Sequence, residues 1–205
     1  MTLKHAHANV DQFSRVAASY DRPMLRRFFR RTHEATLEGI DVRGKRCLDA
    51  GGGTGELARL LRERGAALSV VADLALPMAA VARGKGLPAA AADATRLPFR
   101  DGAFALAFTT NSLHHWDPWP LGVAEMRRVV APGGLVVVED FASHGLGNRV
   151  VNGLARAFEP SHVGFLSVHD LGGAMRAAGL ADVVVRVARG PLRLNLLVAT
   201  GRVSA

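Results

Sequence analysis

A glycine-rich loop between a short apolar run and an amphipathic segment constrains this chain most. Residues 46–50 read as a buried strand, residues 51–55 contain four glycines, and leucines recur at helical spacing within residues 56–64. Glycine permits positive φ and lets a ligand approach the main chain where a Cβ would collide. The helix after the loop points its unpaired N–H groups toward the same place. The sequence therefore predicts a strand–loop–helix unit with a ligand-binding backbone.

The spacing of the glycines narrows the class of ligand. The dinucleotide fingerprint G-x-G-x-x-G fails, because Glu56 occupies the third glycine position when counting begins at Gly51. The pattern that remains is D-x-G-x-G-x-G, which starts at Asp49 and ends at Gly55. A carboxylate at the end of the strand repels a pyrophosphate and suits a positively charged ligand such as a sulfonium or an ammonium. A glycine-rich connector without a ligand is the alternative interpretation.

Strand-like and helix-like segments alternate with short connections up to about residue 140, and this alternation predicts an open, mainly parallel sheet. Further strands are predicted at residues 68–72, 87–92, 104–109, 135–139, 183–187 and 192–200, with a turn at residues 132–134 and a last helix at residues 171–178. The first four strands each end at a polar residue, namely Asp49, Asp73, Asp93 and Asn111. Ligands of such sheets bind at the carboxyl ends of the strands, so we expect these four side chains in one cleft.

The predicted fold is α/β: a Rossmann-like, doubly wound, mainly parallel seven-stranded sheet with a C-terminal antiparallel hairpin and an N-terminal helical cap. Residues 1–205 suit a single domain. Within it we expect the cap to span residues 1–43 and the ligand-binding core to span residues 44–200. Residues 142–166 show only weak periodicity.

Six short segments resemble those of class I S-adenosylmethionine-dependent methyltransferases, especially the small-molecule enzymes of ubiquinone and menaquinone biosynthesis. Besides the glycine loop, they are F-x-x-x-A-x-x-Y-D at residues 13–21, D-x-x-x-x-M at residues 73–78, D-A-x-x-L-P-F-x-D at residues 93–101, N-S-L-H-H-W at residues 111–116, which is similar to the family's S-x-x-H-H or A-x-x-H-H, and P-G-G at residues 132–134. Ala75 stands where the family usually has Ser, which puts one small polar contact in doubt. The resemblance covers residues 13–141 in register and the remainder by order of elements.

The resemblance implies a set of site residues. Asp73 would accept hydrogen bonds from the two ribose hydroxyls of S-adenosylmethionine, and Asp93 would accept one from its adenine amino group. The full implied cofactor-binding set is Tyr20, Asp49, Gly51, Gly52, Gly53, Asp73, Leu74, Met78, Asp93, Ala94 and Asn111. His114 and His115 follow the fourth strand and are the catalytic candidates, since an unperturbed imidazole with a pKa near 6.5 can take a proton at neutral pH. No metal ligand set is expected.

Composition bears on partners and location. The net charge is +8, yet only 6% of residues are aromatic and no basic run is interleaved with them, which argues against DNA or RNA as a partner. There is one cysteine, no apolar run of transmembrane length and no secretory signal, so we expect a cytoplasmic protein that is a monomer or a homodimer.

The expected reaction is methyl transfer to an O, C or N atom of a small-molecule acceptor, whose identity the sequence does not reveal. Two alternatives stay open. One is an RNA methyltransferase, which the charge favours but which the absence of an [ND]-P-P-[YF] segment opposes. The other is a methyltransferase-like fold that binds a ligand or partner without catalysis.

Overall fold

One seven-stranded sheet forms the centre of the protein. The computed structural model describes residues 3–159 and 161–204. The strands are β1 (Arg46–Ala50), β2 (Leu68–Asp73), β3 (Ala89–Ala91), β4 (Phe104–Thr110), β5 (Val130–Phe141), β6 (Leu180–Arg189) and β7 (Asn195–Val203). Their order across the sheet is β3-β2-β1-β4-β5-β7-β6, and β7 is antiparallel to both of its neighbours. The parallel strands β1 and β4 are neighbours, and the order in which successive strands are added to the sheet reverses between them, which is where doubly wound folds bind their ligands.

Helices precede the sheet and alternate with its strands. They are α1 (Leu3–Val16), α2 (Pro23–Thr36), α3 (Glu56–Glu63), α4 (Leu76–Gly84), α5 (Trp119–Val129), α6 (Leu146–Phe158) and α7 (Val168–Ala177). Across residues 3–159 and 161–204, none of them has the length and hydropathy needed to span a bilayer. The predicted fold class is confirmed, including the C-terminal hairpin.

Alternating side chains of the central strands build two cores, one on each face of the sheet. Leu48 of β1 packs with α5 and α7 on one face, whereas Cys47 packs with α3 on the other. The same alternation divides Val136 and Val137 of β5 between the two cores. A strand buried on both faces has to be apolar throughout, which is why these strands read as continuous hydrophobic runs.

Three local predictions were wrong in detail. Residues 132–134 are not a turn between elements, because β5 begins at Val130 and includes them in an irregular stretch where the register with β4 shifts. Residues 146–158, which show weak periodicity, form α6. Strand β6 is longer than predicted, whereas β7 has the predicted length of 9 residues but starts and ends three residues later, and the chain turns between Arg189 and Asn195.

The two N-terminal helices are joined to both the core and the glycine loop. Beyond α2, Leu37 and Val42 are buried in the same core as α3, so the segment assigned to the cap also contributes to the core. Asp21 accepts a hydrogen bond from Thr54 Oγ1 at 2.7 Å and pairs with Lys85 Nζ at 2.6 Å. Lys85 also donates to the backbone oxygen of Thr54 at 2.8 Å, so one short network connects the cap, the loop and α4.

Candidate active site

A cleft opens at the carboxyl ends of β1, β2 and β4 and is partly covered by α1 and α2. Every residue predicted to bind the cofactor lines it: Tyr20, Asp49, Gly51, Gly52, Gly53, Asp73, Leu74, Met78, Asp93, Ala94 and Asn111. The predicted strand-end polar side chains are therefore brought together, as expected. The two histidines separate, since His115 lines this cleft and His114 lies behind it.

The glycine loop packs closely against Asp49 of β1 but is open toward the cleft. A Cβ on Gly52 would come within 2.5 Å of the Asp49 carboxyl carbon, so this glycine is required by a close approach. Gly53 has a φ of +53°, and a Cβ there would meet no described atom within 4 Å. The main chain at Gly53 is thus accessible to a ligand, in a conformation that glycine adopts without strain.

Asp49 lies beneath the loop with no exposed surface. Its Oδ2 accepts from the backbone N–H of Ala58 at 3.2 Å, while its Oδ1 is buried and makes no hydrogen bond within the described residues. Burial raises the pKa of Asp49 to about 7. A buried acceptor without a donor is costly, and a nearby positive charge or donor in the cleft would relieve that cost.

Asp73 at the end of β2 positions the glycine loop. Its Oδ2 accepts from the backbone N–H of Gly53 at 2.8 Å and its Oδ1 from that of Ala75 at 2.9 Å. Burial raises the pKa of Asp73 to about 6. Each carboxylate oxygen has a second lone pair, so the group can hold the loop and still accept from two hydroxyls of a ligand.

Asp93 and Asn111 complete the polar rim. Asp93 Oδ1 accepts from the backbone N–H and the hydroxyl of Thr95, at 2.8 and 2.7 Å, which fixes the loop after β3. Asn111 has a φ of 49°, and its Nδ2 donates to Thr32 Oγ1 and Glu139 Oε2, both at 2.9 Å. Its Oδ1 is buried without a partner in the described structure, so it offers the cleft a second unused acceptor.

Aromatic rings from the cap form the wall opposite the strand ends. Tyr20 stacks on Phe29 with ring centroids 5.5 Å apart, and Phe29 stacks on His33 at 6.4 Å. Burial raises the pKa of Tyr20 above its usual range and lowers that of His33 to about 3, so both groups are neutral at physiological pH. This wall is apolar and uncharged, which suits a flat ligand group.

His114 forms a dyad with a buried carboxylate. Its Nδ1 is 2.5 Å from Asp140 Oδ1, and its backbone N–H donates to Asp140 Oδ2 at 2.9 Å. Asp140 has no exposed surface. A carboxylate that accepts from Nδ1–H fixes the ring and leaves Nε2 as the nitrogen that can accept a proton. The rings of Phe141 and Phe165 lie 6.2 and 5.5 Å from the imidazole and provide an apolar surface beside it.

His115 is held from a different side. Its Nδ1 lies 3.0 Å from Ser161 Oγ, which also donates to Gln12 Oε1 of α1 at 3.0 Å. Its Nε2 is 3.9 Å from Glu159 Oε2. The two imidazoles are adjacent, with ring centroids 4.1 Å apart, so His115 forms the boundary between the cleft and the His114–Asp140 dyad.

A third histidine joins this group. One ring nitrogen from each of His114, His115 and His162 lies within 4.8 Å of the others. His162 Nε2 is 2.8 Å from Asn152 Oδ1, and burial lowers the pKa of His162 to about 4. Imidazole is a common ligand of transition metals, yet each ring here also has a partner within the protein. The expectation that the chain has no metal ligand set stays a prediction, which chelation tests.

The residues around the cleft fit S-adenosylmethionine. Asp73 can accept from ribose hydroxyls, and Asp93, Leu74 and Met78 offer one acceptor and apolar contacts for a purine. The open main chain at Gly53 and the unsatisfied oxygen of Asp49 suit the polar and cationic end of such a ligand. A dinucleotide fits poorly, because the carboxyl groups of Asp49 and Asp73 lie against the loop, where a pyrophosphate would bind.

Sequence reasoning missed several residues of the site. Asp140 could have been found, because it directly follows the predicted strand at residues 135–139 as Asp73 follows the one at residues 68–72. Asp21 belongs to the Y-D pair of the resemblance, and only its position beside Thr54 reveals its role. His162 and Ser161 come from a segment of weak periodicity far along the chain, and nothing in the sequence places them next to His115.

The sequence of this chain is similar to those of known proteins. The methyltransferase domain family matches residues 20–185. A demethylmenaquinone methyltransferase of Thermus thermophilus is 38% identical over 142 residues, which is 63% of this chain and 64% of that protein. The ubiquinone/menaquinone biosynthesis C-methyltransferase UbiE of Bordetella avium is 35% identical over 169 residues, 75% of this chain and 62% of its own length. The chain thus matches less than two thirds of these relatives.

Solved structures share the fold at low sequence identity. An S-adenosylmethionine-dependent methyltransferase of Thermotoga maritima superposes with a TM-score of 0.80 at 21% identity, covering 97% of this chain and 99% of that one. A phosphoethanolamine N-methyltransferase of Haemonchus contortus, in complex with S-adenosyl-L-methionine, has a TM-score of 0.72 at 16% identity, covering 84% and 52%. The sequence match extends over most of the chain, and these superpositions agree with it in fold. The chain therefore belongs to the methyltransferase domain family.

Proposed function

We propose that this protein transfers a methyl group from S-adenosylmethionine to a ring carbon of a small quinol-type acceptor. The observation that carries the proposal is the position of the His114–Asp140 dyad, whose imidazole lies 4.1 Å, between ring centroids, from His115, a residue that lines the cofactor cleft. The names of the relatives in quinone biosynthesis support a quinol as the acceptor.

The strand ends and the glycine loop would hold the cofactor. Asp73 would bind the ribose, Asp93 and Met78 the adenine, and the main chain at Gly53 the remaining polar groups. When bound, S-adenosylmethionine supplies an electrophilic methyl group on a positively charged sulfur. Asp49 contributes a negative potential beneath that end of the cleft once it is ionised. Holding both reactants in line can lower the barrier by up to about 7–11 kcal/mol.

The dyad would activate the acceptor. With its Nδ1 on Asp140, His114 presents Nε2 to a quinol hydroxyl and takes its proton, and the resulting phenolate is nucleophilic at the adjacent ring carbon. A carbon–methyl bond forms there as the sulfur–methyl bond breaks. The hydrogen on that carbon then returns to the oxygen as a proton, so the ring regains aromaticity and one proton overall leaves through His114.

The aromatic side chains beside His114 would orient the acceptor ring. Phe141 and Phe165 have ring centroids 5.0 Å apart, and both border the imidazole. Stacked or edge-on contacts with these rings would hold a flat apolar molecule with a hydroxyl toward Nε2. We propose the same wall as the determinant of acceptor class.

A methyl-transfer assay with methyl-labelled S-adenosylmethionine and the full chain tests this function. We expect label on the ring carbon of a 1,4-naphthohydroquinone and none on the oxidised quinone, which has no hydroxyl proton to give. Turnover should be unchanged after dialysis against a chelator, because the dyad requires no metal. Label in added RNA but not in the quinol would replace this proposal with the RNA alternative, and cofactor binding without transfer to any acceptor would favour a non-catalytic role.

A further inference from the structure

The outer face of α6 carries a stripe of large apolar side chains in solvent. Leu146, Val150, Leu154 and Phe158 follow one another at intervals of four residues and are 81%, 56%, 55% and 79% exposed. Side chains four apart lie on one face of a helix. Single exposed apolar residues are ordinary, but a continuous stripe along a helix marks an interaction surface.

The inner face of α6 is already anchored to the protein through polar contacts. Asn148 Nδ2 donates to the backbone oxygens of Ala142 and Asn195, both at 2.8 Å. Asn152 Oδ1 accepts from the backbone N–H of Phe165 at 3.0 Å. The helix is therefore fixed with its apolar stripe outward, and rotating the stripe into the core would break these buried hydrogen bonds.

The surroundings of the stripe are basic. α6 contains Arg149 and Arg156, both exposed, and no acidic residue, although Glu159, with a side chain 42% exposed, follows directly after Phe158. The adjacent turn at residues 191–193, which contacts α2, exposes Leu192 at 85% together with Arg193. α2 itself carries four arginines and one acid, Glu34. A partner that covers this region has to combine apolar groups with negative charge.

We propose that the outer face of α6, with its basic surroundings, docks on the surface of an anionic lipid bilayer. Amphipathic helices with arginines beside an apolar stripe lie at the boundary between headgroups and acyl chains, and anionic headgroups attract the arginines. A second copy of the chain is a poorer occupant, because the net charge of +8 sets two basic faces against each other. Entry of a lipid-soluble acceptor from this side would rest on the proposed function, whereas lipid binding does not.

Sedimentation of the full chain with lipid vesicles tests the proposal without any methyl-transfer readout. The protein should pellet with vesicles of phosphatidylcholine and phosphatidylglycerol, bind much more weakly to phosphatidylcholine alone, and dissociate as salt is raised. Leu154→Glu should lower the affinity for the anionic vesicles by about tenfold, because it places a carboxylate in the apolar boundary.

Val184→Glu is the matched control. Val184 lies on β6, away from α6, and is 59% exposed against 55% for Leu154. We expect Val184→Glu to bind vesicles like the wild type, and both variants to melt and to bind S-adenosylmethionine as it does. Equal loss in both variants, or no binding of the wild type to anionic vesicles, would overturn the proposal. A wild-type dimer in light scattering that Leu154→Glu converts to monomer would assign the face to self-association instead.

Discussion

At the residue scale, the imidazole of His114 depends on a carboxylate that has no exposed surface. Asp140 accepts from the backbone N–H groups of His114 and Phe141, so its orientation is fixed independently of the imidazole. Fixing the ring in this way decides which nitrogen is available for proton transfer. In the proposed mechanism Asp140 positions His114, so the two residues should be tested together.

His114→Ala should lower the turnover number by about 10²-fold, in the range typical of a lost general base, while cofactor affinity stays within about twofold. Asp140→Asn should reduce turnover in the same direction, because an amide can donate to Nδ1 and favour the wrong tautomer. His169→Ala is the control, since His169 is an exposed residue of α7. Steady-state rates at saturating acceptor and calorimetric titration of the cofactor measure the two effects. An unchanged rate in His114→Ala would leave alignment as the only source of catalysis.

The sequence predicts site residues whose position follows from the end of a strand. It does not predict those whose position depends on tertiary packing. Asp73 and Asn111 were predictable, because any residue that ends a parallel strand must reach the same edge of the sheet. His162 was not, because its position results from α6 folding over the sheet end, and Asn152 holds it there through a tertiary contact. The split between His114 and His115 was equally hidden, since neighbouring residues of a short 3-10 turn point in different directions.

At the scale of elements, the N-terminal helices are attached to the glycine loop by Asp21. Asp21→Ala removes the acceptor of Thr54 Oγ1 and the partner of Lys85 Nζ. These groups are about one-third exposed, and a net hydrogen bond is worth about 0.5–1.5 kcal/mol, so we expect cofactor affinity to fall about three- to tenfold. Dissociation of the cofactor, followed by stopped flow, should become faster by a similar factor.

The control for Asp21→Ala is Glu38→Ala, which removes an exposed acid paired with Arg186 at 3.6 Å, far from the loop. Glu38→Ala should leave cofactor dissociation unchanged. If Asp21→Ala releases the cofactor no faster than this control, the network between the cap and the loop has no part in retention, and α1 and α2 would serve the core alone.

Among the elements, the central strands were predictable and the C-terminal half was less so. Strands β1, β2 and β4 are buried on both faces, so their continuous apolar runs are unambiguous. The apolar residues of α6 recur every four positions, so its helical periodicity is present in the sequence, but they lie on the exposed face while the buried face carries asparagines. Periodicity can therefore predict the helix but not that its apolar face is outward, and this reversal indicates that a partner covers the outer face.

At the scale of the whole molecule, buried acids and buried histidines have opposite effects on how the stability of the fold depends on pH. Burial raises the pKa of Asp49 to about 7 and that of Asp73 to about 6, so the folded chain holds protons that the unfolded chain releases, and these acids destabilise the fold as pH rises through that range. Burial lowers the pKa of His33 to about 3 and that of His162 to about 4, so these groups destabilise the fold as pH falls below about 6.5. Above that pH only the acids contribute.

Cofactor affinity should change with pH in the direction opposite to the stability of the free protein. The ionised carboxylates are the forms that accept from ribose hydroxyls and attract a sulfonium, so binding releases protons wherever Asp49 and Asp73 are protonated in the free protein. With values of about 7 and 6, cofactor affinity should rise by about twentyfold between pH 6 and pH 8, while the melting temperature of the free protein falls between pH 6.5 and pH 8. Calorimetry in buffers of different ionisation enthalpy counts the released protons directly.

Asp49→Asn separates this effect from titration of the cofactor's own amino group, which the wild type and the variant share. The variant cannot release a proton from position 49, so its affinity should be lower at pH 8 and should vary less between pH 6 and pH 8. At pH 8 the variant should also have a higher melting temperature than the wild type. Its free energy of unfolding should be larger by about 1–3 kcal/mol, because it lacks the uncompensated buried charge. A wild-type affinity that is flat across this range would show that Asp49 is already ionised beneath the loop, and that its oxygen finds a donor before the cofactor arrives.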